Sequence, residues 1–151
     1  MKKIYNLSFG VTSAIMTSLA IVIGLSGTSL TAIITALLII AIADNVSDSF
    51  GIHIYKESEC ANSKEVTQTT SGNFIARVIT TGIFILFVII FPINVAIIFS
   101  IIFSVISIMW MSYFISVHQK KNPYTSILRH LTIALVIMIL SFLLREIITK
   151  F

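Results

Sequence analysis

The stretch Ala43-Asp-Asn-Val-Ser-Asp-Ser-Phe-Gly-Ile-His-Ile-Tyr-Lys-Glu-Ser-Glu59 places two carboxylates, Asp44 and Asp48, near the end of a long apolar run. That run begins near Leu30, and as a helix it would be about 45 Å long at 1.5 Å per residue. Because the hydrocarbon core is ~30 Å thick, the last turns of this helix should project into water. Acidic side chains at membrane depth are costly, so the pair is interpreted as a functional site.

The composition identifies an integral membrane protein. The chain has 151 residues, of which 57% are hydrophobic and only 11% are charged, whereas soluble domains carry about 25% charged residues. The net charge of +4 does not indicate a nucleic-acid partner, because the basic residues lie in short segments between apolar runs rather than on one face. The single cysteine, Cys60, excludes an intramolecular disulfide.

The apolar runs predict an all-α membrane protein with one transmembrane domain over residues 1–151. Its five transmembrane helices are expected at about residues 7–26, 30–59, 77–91, 95–116 and 124–148, and residues 60–73 form a polar loop in this prediction. Pro92 falls in a tight turn between the third and fourth helices, and Pro123 is placed to start the fifth. The first run is interpreted as a membrane helix rather than a cleaved signal peptide, since no small-residue cleavage site with a soluble domain follows it.

The basic residues predict a cytoplasmic N-terminus and an external C-terminus. With this orientation the inner segments hold eight of the ten basic residues, and the outer side holds only Arg145 and Lys150. The eight are Lys2, Lys3, Lys56, Lys64, Arg77, Lys120, Lys121 and Arg129. Asp44 and Asp48 then lie in the inner third of the second helix. The small size and minimal loops favour a prokaryotic plasma membrane.

A polar stripe on the second helix is the main candidate site. At 100° per residue its members fall within about 120° of one another: Asp44, Ser47, Asp48, Gly51, Tyr55 and Glu59. Oxygen ligands of this kind suit divalent cations such as Mn²⁺ and Fe²⁺. Two carboxylates four residues apart also repel, which favours a shared proton or a cation between them. The alternative is a structural role, in which both aspartates bond to polar groups on neighbouring helices.

A second set of potential ligands, His53, Glu57 and Cys60, lies on the opposite face of the same helix. These side chains can bind a transition metal, but a solvated helix end is the simpler interpretation. Small residues spaced by four, such as Ala43, Ser47 and Gly51, permit close helix contact, either in a dimer or within one chain. The hydroxyl groups of the first helix supply further oxygens, or merely bond to backbone carbonyls.

Three segments of the chain resemble the vacuolar iron transporter family. These are Phe9-Gly10 followed by Leu19-Ala-Ile-Val-Ile-Gly-Leu-Ser-Gly27, the Ser47-x-x-x-Gly51 pattern with Glu57-Ser-Glu59, and Lys121-Asn-Pro-Tyr-Thr-Ser-Ile-Leu-Arg129. The resemblance implies a five-helix protomer, a homodimer with the ion path at its interface, and proton-coupled export of Fe²⁺ or Mn²⁺ from the cytosol. Compared with the family pattern, Ser13 replaces an aspartate, Asp48 a methionine and Ile52 a glutamate. The cytosolic metal-binding domain that some members carry after the second helix is absent.

Together these observations predict a divalent metal transporter whose partners are metal ions, protons, the lipid bilayer and a second copy of the chain. Its predicted metal site consists of Asp44, Asp48, Ser47, Tyr55, Glu59 and Ser13. Fe²⁺ or Mn²⁺ is the transported substrate, and no cofactor is expected. No Gly-x-Ser-x-Gly motif, P-loop or Cys-x-x-Cys motif is present, so an enzyme has no support. The alternative function is a non-transporting membrane scaffold or regulatory protein that keeps the transporter fold.

Overall fold

The protein is an all-α membrane protein. A computed structural model describes the backbone of residues 2–150 and the side chains of residues 8–150. The five helices are α1 (Lys2–Gly24), α2 (Leu30–Ser58), α3 (Ser63–Ile90), α4 (Ile93–His118) and α5 (Pro123–Ile148). In this described part, α2 to α5 are each long and apolar enough to cross a membrane, and α1 contributes a shorter apolar segment, Ser8–Gly24. The orientation of the termini stays a prediction, and the side chains of Lys2 and Lys3 lie outside the described residues.

The helix ends follow from capping residues in the sequence. The side chains of Ser29, Asn62 and Asn122 each accept a hydrogen bond from a backbone N–H in the first turn of the helix that follows. The prediction that Pro123 begins the last helix is confirmed. Proline lacks a backbone N–H, but this costs nothing at the start of a helix. The first N–H groups of a helix have no helical carbonyl before them to bond to.

The third helix differs from its predicted bounds, since it begins at Ser63 rather than near Arg77. The polar residues between these positions form its first turns instead of a loop. Thr67, Thr69 and Ser71 donate their hydroxyl protons to backbone carbonyls four residues earlier. Such bonds satisfy hydroxyl groups within a helix, so a Ser/Thr-rich composition did not exclude helical structure here.

The first helix lies at the centre of the bundle and contacts each of the other four. Its buried residues, among them Ile15, Leu19 and Val22, join Phe84 of α3 and Ile108 of α4 in one apolar core. The buried face of α4 has residues at intervals of four, all of them small except Ile108: Ala96, Ser100, Ser104, Ile108, Ser112 and Ser116. Small residues let the backbones approach closely, which is how helices associate where lipid removes the hydrophobic driving force.

The second helix is not regular throughout. It is α-helical over Leu30–Ile39 and Asn45–Ser58, with a π-helical turn over Ile40–Asp44 between the two parts. The backbone N–H of Asn45 bonds to the carbonyl of Ile40, five residues earlier. The Asn45 side-chain amide donates to the Ala41 carbonyl at 2.9 Å, which replaces the backbone bond that the wider turn removes. Turns of this kind occur often at functional sites, and this one ends at Asp44.

Candidate functional site: an intramembrane arginine between two aspartates

Arg77 is the centre of the candidate site. It lies in the middle of α3, and its side chain is fully buried. Its Nη2 donates to an Asp44 carboxylate oxygen, and its Nη1 donates to Asp48. The interpretation of Arg77 as a basic residue at the start of the third helix is therefore wrong. Its removal from the inner basic residues leaves seven against two, so the charge asymmetry persists.

Two uncharged side chains complete the hydrogen bonding of the guanidinium group. The Nε of Arg77 donates to Asn45 Oδ1 at 2.7 Å, and its Nη1 also donates to Ser13 Oγ at 2.5 Å. The Ser13 hydroxyl in turn donates to Asp48 at 3.4 Å. All three guanidinium nitrogens of Arg77 thus have acceptors, as a buried charge requires. We call Ser13, Asp44, Asn45, Asp48 and Arg77 the arginine cluster.

The arginine cluster carries more negative than positive charge. With both carboxylates ionised its formal charge is −2 + 1 = −1. The side chains of Asp44 and Asp48 are 38% and 35% exposed on one face of α2, whereas the side chain of Arg77 is fully buried. One formal negative charge therefore has no basic partner within the cluster, and the two carboxylates that share it are partly exposed.

A second buried polar group lies beside the cluster. Asn73, one turn before Arg77 on α3, is fully buried and donates from Nδ2 to Ser49 Oγ at 3.1 Å. Its Oδ1 has no hydrogen-bond partner among the described residues. Gly10 of α1 packs directly on Asn73, since a Cβ at this glycine would lie 2.8 Å from the Asn73 backbone oxygen.

The predicted site residues separate into two groups. Ser13, Asp44 and Asp48 come together around Arg77, and their role as metal ligands stays a prediction. Tyr55 and Glu59 instead bond to each other at 2.6 Å. By the rise per residue they lie about 10 Å and about 16 Å beyond Asp48 along the helix axis. Ser47 is exposed on the same side of α2 as the aspartates.

Sequence reasoning missed Arg77, Asn45 and Asn73. In the sequence, all three are polar residues at the beginning or end of an apolar run. Water-facing residues commonly occupy such positions, so the pattern did not mark these three as buried. Asn45 differs from the six residues of the polar stripe because it is fully buried. A helical projection shows that Asn45 is next to the polar stripe. It does not show which neighbouring helix supplies the positive charge that pairs with the aspartates.

The second set of potential ligands does not assemble into a metal site. His53 Nε2 lies 3.4 Å from Glu57, and His53 Nδ1 lies 3.4 Å from the Thr70 hydroxyl. Cys60 follows the end of α2 with a positive φ of 55° and is exposed. Throughout the described part of the chain, no group of three His, Cys, Asp or Glu side chains could hold a metal ion.

Two threonine hydroxyl groups of α1 bond to the helix backbone. Thr12 donates to the carbonyl of Ser8, and Thr17 donates to that of Ser13. Ser18 differs, since its hydroxyl donates to Thr81 Oγ1 of α3 at 3.4 Å. Ser13 is therefore the hydroxyl of this helix that joins the arginine cluster.

Glu59 is an ionised carboxylate at neutral pH. Hydrogen bonds from Lys56 Nζ at 2.5 Å and from the Tyr55 hydroxyl hold the pKa of Glu59 below its ordinary value, with Lys56 the larger cause. We expect Lys56→Met to raise the pKa of Glu59, and Tyr55→Phe to raise it less. Carboxyl ¹³C chemical shifts followed against pH measure both changes. An unaltered midpoint in Lys56→Met would contradict the assignment.

Comparison with known proteins does not extend the picture: no family model matches the chain, and no curated protein matches it. The resemblance to the vacuolar iron transporter family stays a prediction.

Proposed function

We propose that the protein is a proton-coupled cation transporter and that the arginine cluster is its coupling site. The observation that carries the proposal is the formal charge of −1 on the cluster, shared by two carboxylates that are each about one-third exposed. A proton on either aspartate makes the cluster neutral. A cation that replaces that proton binds to the same two carboxylates, so the protein needs no other charged group for the exchange.

Divalent metal ions are the proposed substrates. Carboxylate and hydroxyl oxygens of Asp44, Asp48 and Ser13 suit Fe²⁺ and Mn²⁺ as ligands. A divalent ion bound to the cluster would give it a formal charge of +1 with Arg77 close by, so the ion binds only after both aspartates have lost their protons. Competition between metal and proton for the same carboxylates is the proposed coupling. Tyr55 and Glu59 would guide cations at the cytoplasmic end of α2.

The partly exposed face of the cluster also supports the proposed homodimer. Ala43, Ser47 and Gly51 are exposed along the same helix, and a Cβ added at Gly51 would meet nothing within 4 Å. A second copy packed on this face would cover two costly carboxylates and bring two clusters together. Protein mass measured in detergent micelles distinguishes the dimer from a monomer.

The critical test is Asp48→Asn in proteoliposomes. This variant leaves Arg77 paired with Asp44 and makes the cluster neutral, so it removes the excess charge without leaving the arginine unpaired. We expect flux of Mn²⁺ and Fe²⁺ against a pH gradient to fall to the background of empty vesicles, while melting temperature and oligomeric state stay near wild type. Glu146→Gln, which neutralises a carboxylate near the other end of the bundle, is the matched control and should transport normally. Unchanged flux in Asp48→Asn would refute the site.

A second candidate function is a non-transporting scaffold or regulatory subunit. It is favoured by the complete hydrogen bonding of Arg77 and by the lack of a three-residue ligand group in the described part of the chain. In that case wild-type vesicles show no saturable flux for any cation. The double variant Asp44→Ala, Asp48→Ala is then less stable than wild type, and neither protein transports a cation. The same vesicle assay therefore separates the two functions.

A further inference from the structure

A separate cavity lies between α1, α4 and α5, away from the arginine cluster. Its volume is about 230 Å³, and its lining includes Met16, Met111, Ser112 and His130. None of the five residues of the arginine cluster lines it. The cavity therefore places one imidazole and two thioether side chains around a common space that the proposed function does not use.

The hydrogen bonds of Ser112 determine which nitrogen of His130 carries a proton. The buried Ser112 hydroxyl donates its only proton to the Ile108 carbonyl at 2.6 Å. His130 Nδ1 lies 2.7 Å from the same Ser112 oxygen, so this nitrogen must be the donor in that contact. The neutral imidazole then has its lone pair on Nε2. The hydrogen bond of the His130 ring to Ser112 uses Nδ1 and leaves that lone pair free of the contact.

We propose that this cavity binds a soft monovalent cation, Cu⁺ or its analogue Ag⁺, through His130 Nε2 and the sulfur atoms of Met16 and Met111. Thioether ligands select Cu⁺ over hard divalent ions, and imidazole is a common copper ligand. All three ligands are neutral, so the bound ion introduces one charge into a cavity whose lining, in the part of the chain that the structure describes, includes no Asp, Glu, Lys or Arg side chain. Ser112 acts as a positioning residue, because a partner on the second ring nitrogen sets the orientation of a ligating histidine.

The site differs chemically from the arginine cluster. Carboxylates and a hydroxyl favour hard or borderline divalent ions, whereas two sulfur atoms and an imidazole favour a soft ion. Mn²⁺ should therefore fail to displace Ag⁺ from the cavity. Asp48→Asn should leave Ag⁺ affinity unchanged. The vesicle flux assay tests the arginine cluster and the Ag⁺ titration tests the cavity, so either proposal can be refuted without the other.

The test uses purified full-length protein with Cys60→Ser, because the exposed thiol of Cys60 would itself bind Ag⁺. Titration calorimetry with Ag⁺ should show one ion bound per chain. Met16→Leu and Met111→Leu keep the volume and apolar character of each side chain, and each should weaken binding by about tenfold or more. Ser112→Ala should weaken it by about 10–100-fold, as for other residues that orient a ligand.

Met109→Leu is the matched control, since Met109 is on the same helix as Met111 but is exposed and does not line the cavity. We expect it to bind Ag⁺ like the Cys60→Ser parent. Melting temperatures near that of the parent show that the methionine variants are folded. Absence of saturable Ag⁺ binding by the parent, or parental affinity in Met16→Leu and Met111→Leu, would overturn the proposal.

Discussion

Arg77→Leu is expected to destabilise the protein by about 3–5 kcal/mol, the usual effect of removing one partner from a buried ion pair. The substitution leaves Asp44 and Asp48 close together without the guanidinium group between them. Like charges at this distance repel each other strongly where the dielectric is low. Asn45 and Ser13 also lose the donor that each accepts from. Unfolding from micelles by denaturant, followed by circular dichroism, measures the change.

Two further variants show that the effect comes from charge pairing. Arg77→Lys keeps the charge but lacks the planar fork that reaches several acceptors at once, so its stability should lie between those of wild type and Arg77→Leu. The triple variant Arg77→Leu, Asp44→Leu, Asp48→Leu removes all three charges and should recover most of the lost stability, because apolar replacement of a whole buried network is often neutral or stabilising. Stability of Arg77→Leu within about 1 kcal/mol of wild type would contradict a buried ion pair, given the magnitude expected for one.

Gly10→Ala is expected to destabilise the protein by about 1–3 kcal/mol through overpacking. Its new Cβ would lie 2.8 Å from the Asn73 backbone oxygen and 3.3 Å from the Cβ of Ala76. A backbone atom cannot rotate away, so α1 must move from α3 and loosen the contacts on both sides of the arginine cluster. Gly10→Leu should have a larger effect, because its side chain extends further into α3.

Gly82→Ala supplies the control for this prediction. Gly82 is also within a helix, and a Cβ there would meet nothing within 4 Å. Replacing a helical glycine without a clash should stabilise by about 0.5–1 kcal/mol through lost chain entropy in the unfolded state. Thermal melts in one detergent compare the two alanine variants. Equal melting temperatures for Gly10→Ala and Gly82→Ala would refute the close packing of Gly10 on Asn73.

The properties that the sequence determined by itself are local ones. Long apolar runs established an all-α membrane protein, and Pro123 established the start of the last helix. Helical periodicity placed Asp44 and Asp48 on one face of the second helix. Each of these conclusions depends on hydropathy, backbone geometry or spacing within one segment, which neighbouring residues suffice to define.

The tertiary structure decided which charges meet. Arg77 is on a different helix from Asp44 and Asp48, and an arginine at the beginning of an apolar run has the same local pattern whether it faces water or a buried carboxylate. The π-helical turn before Asn45 and the contact of Gly10 with Asn73 likewise depend on neighbouring helices. The stretch Ala43–Glu59 therefore indicated a pair of acidic side chains on one apolar helix. Helix packing revealed that α3 brings the arginine that joins them.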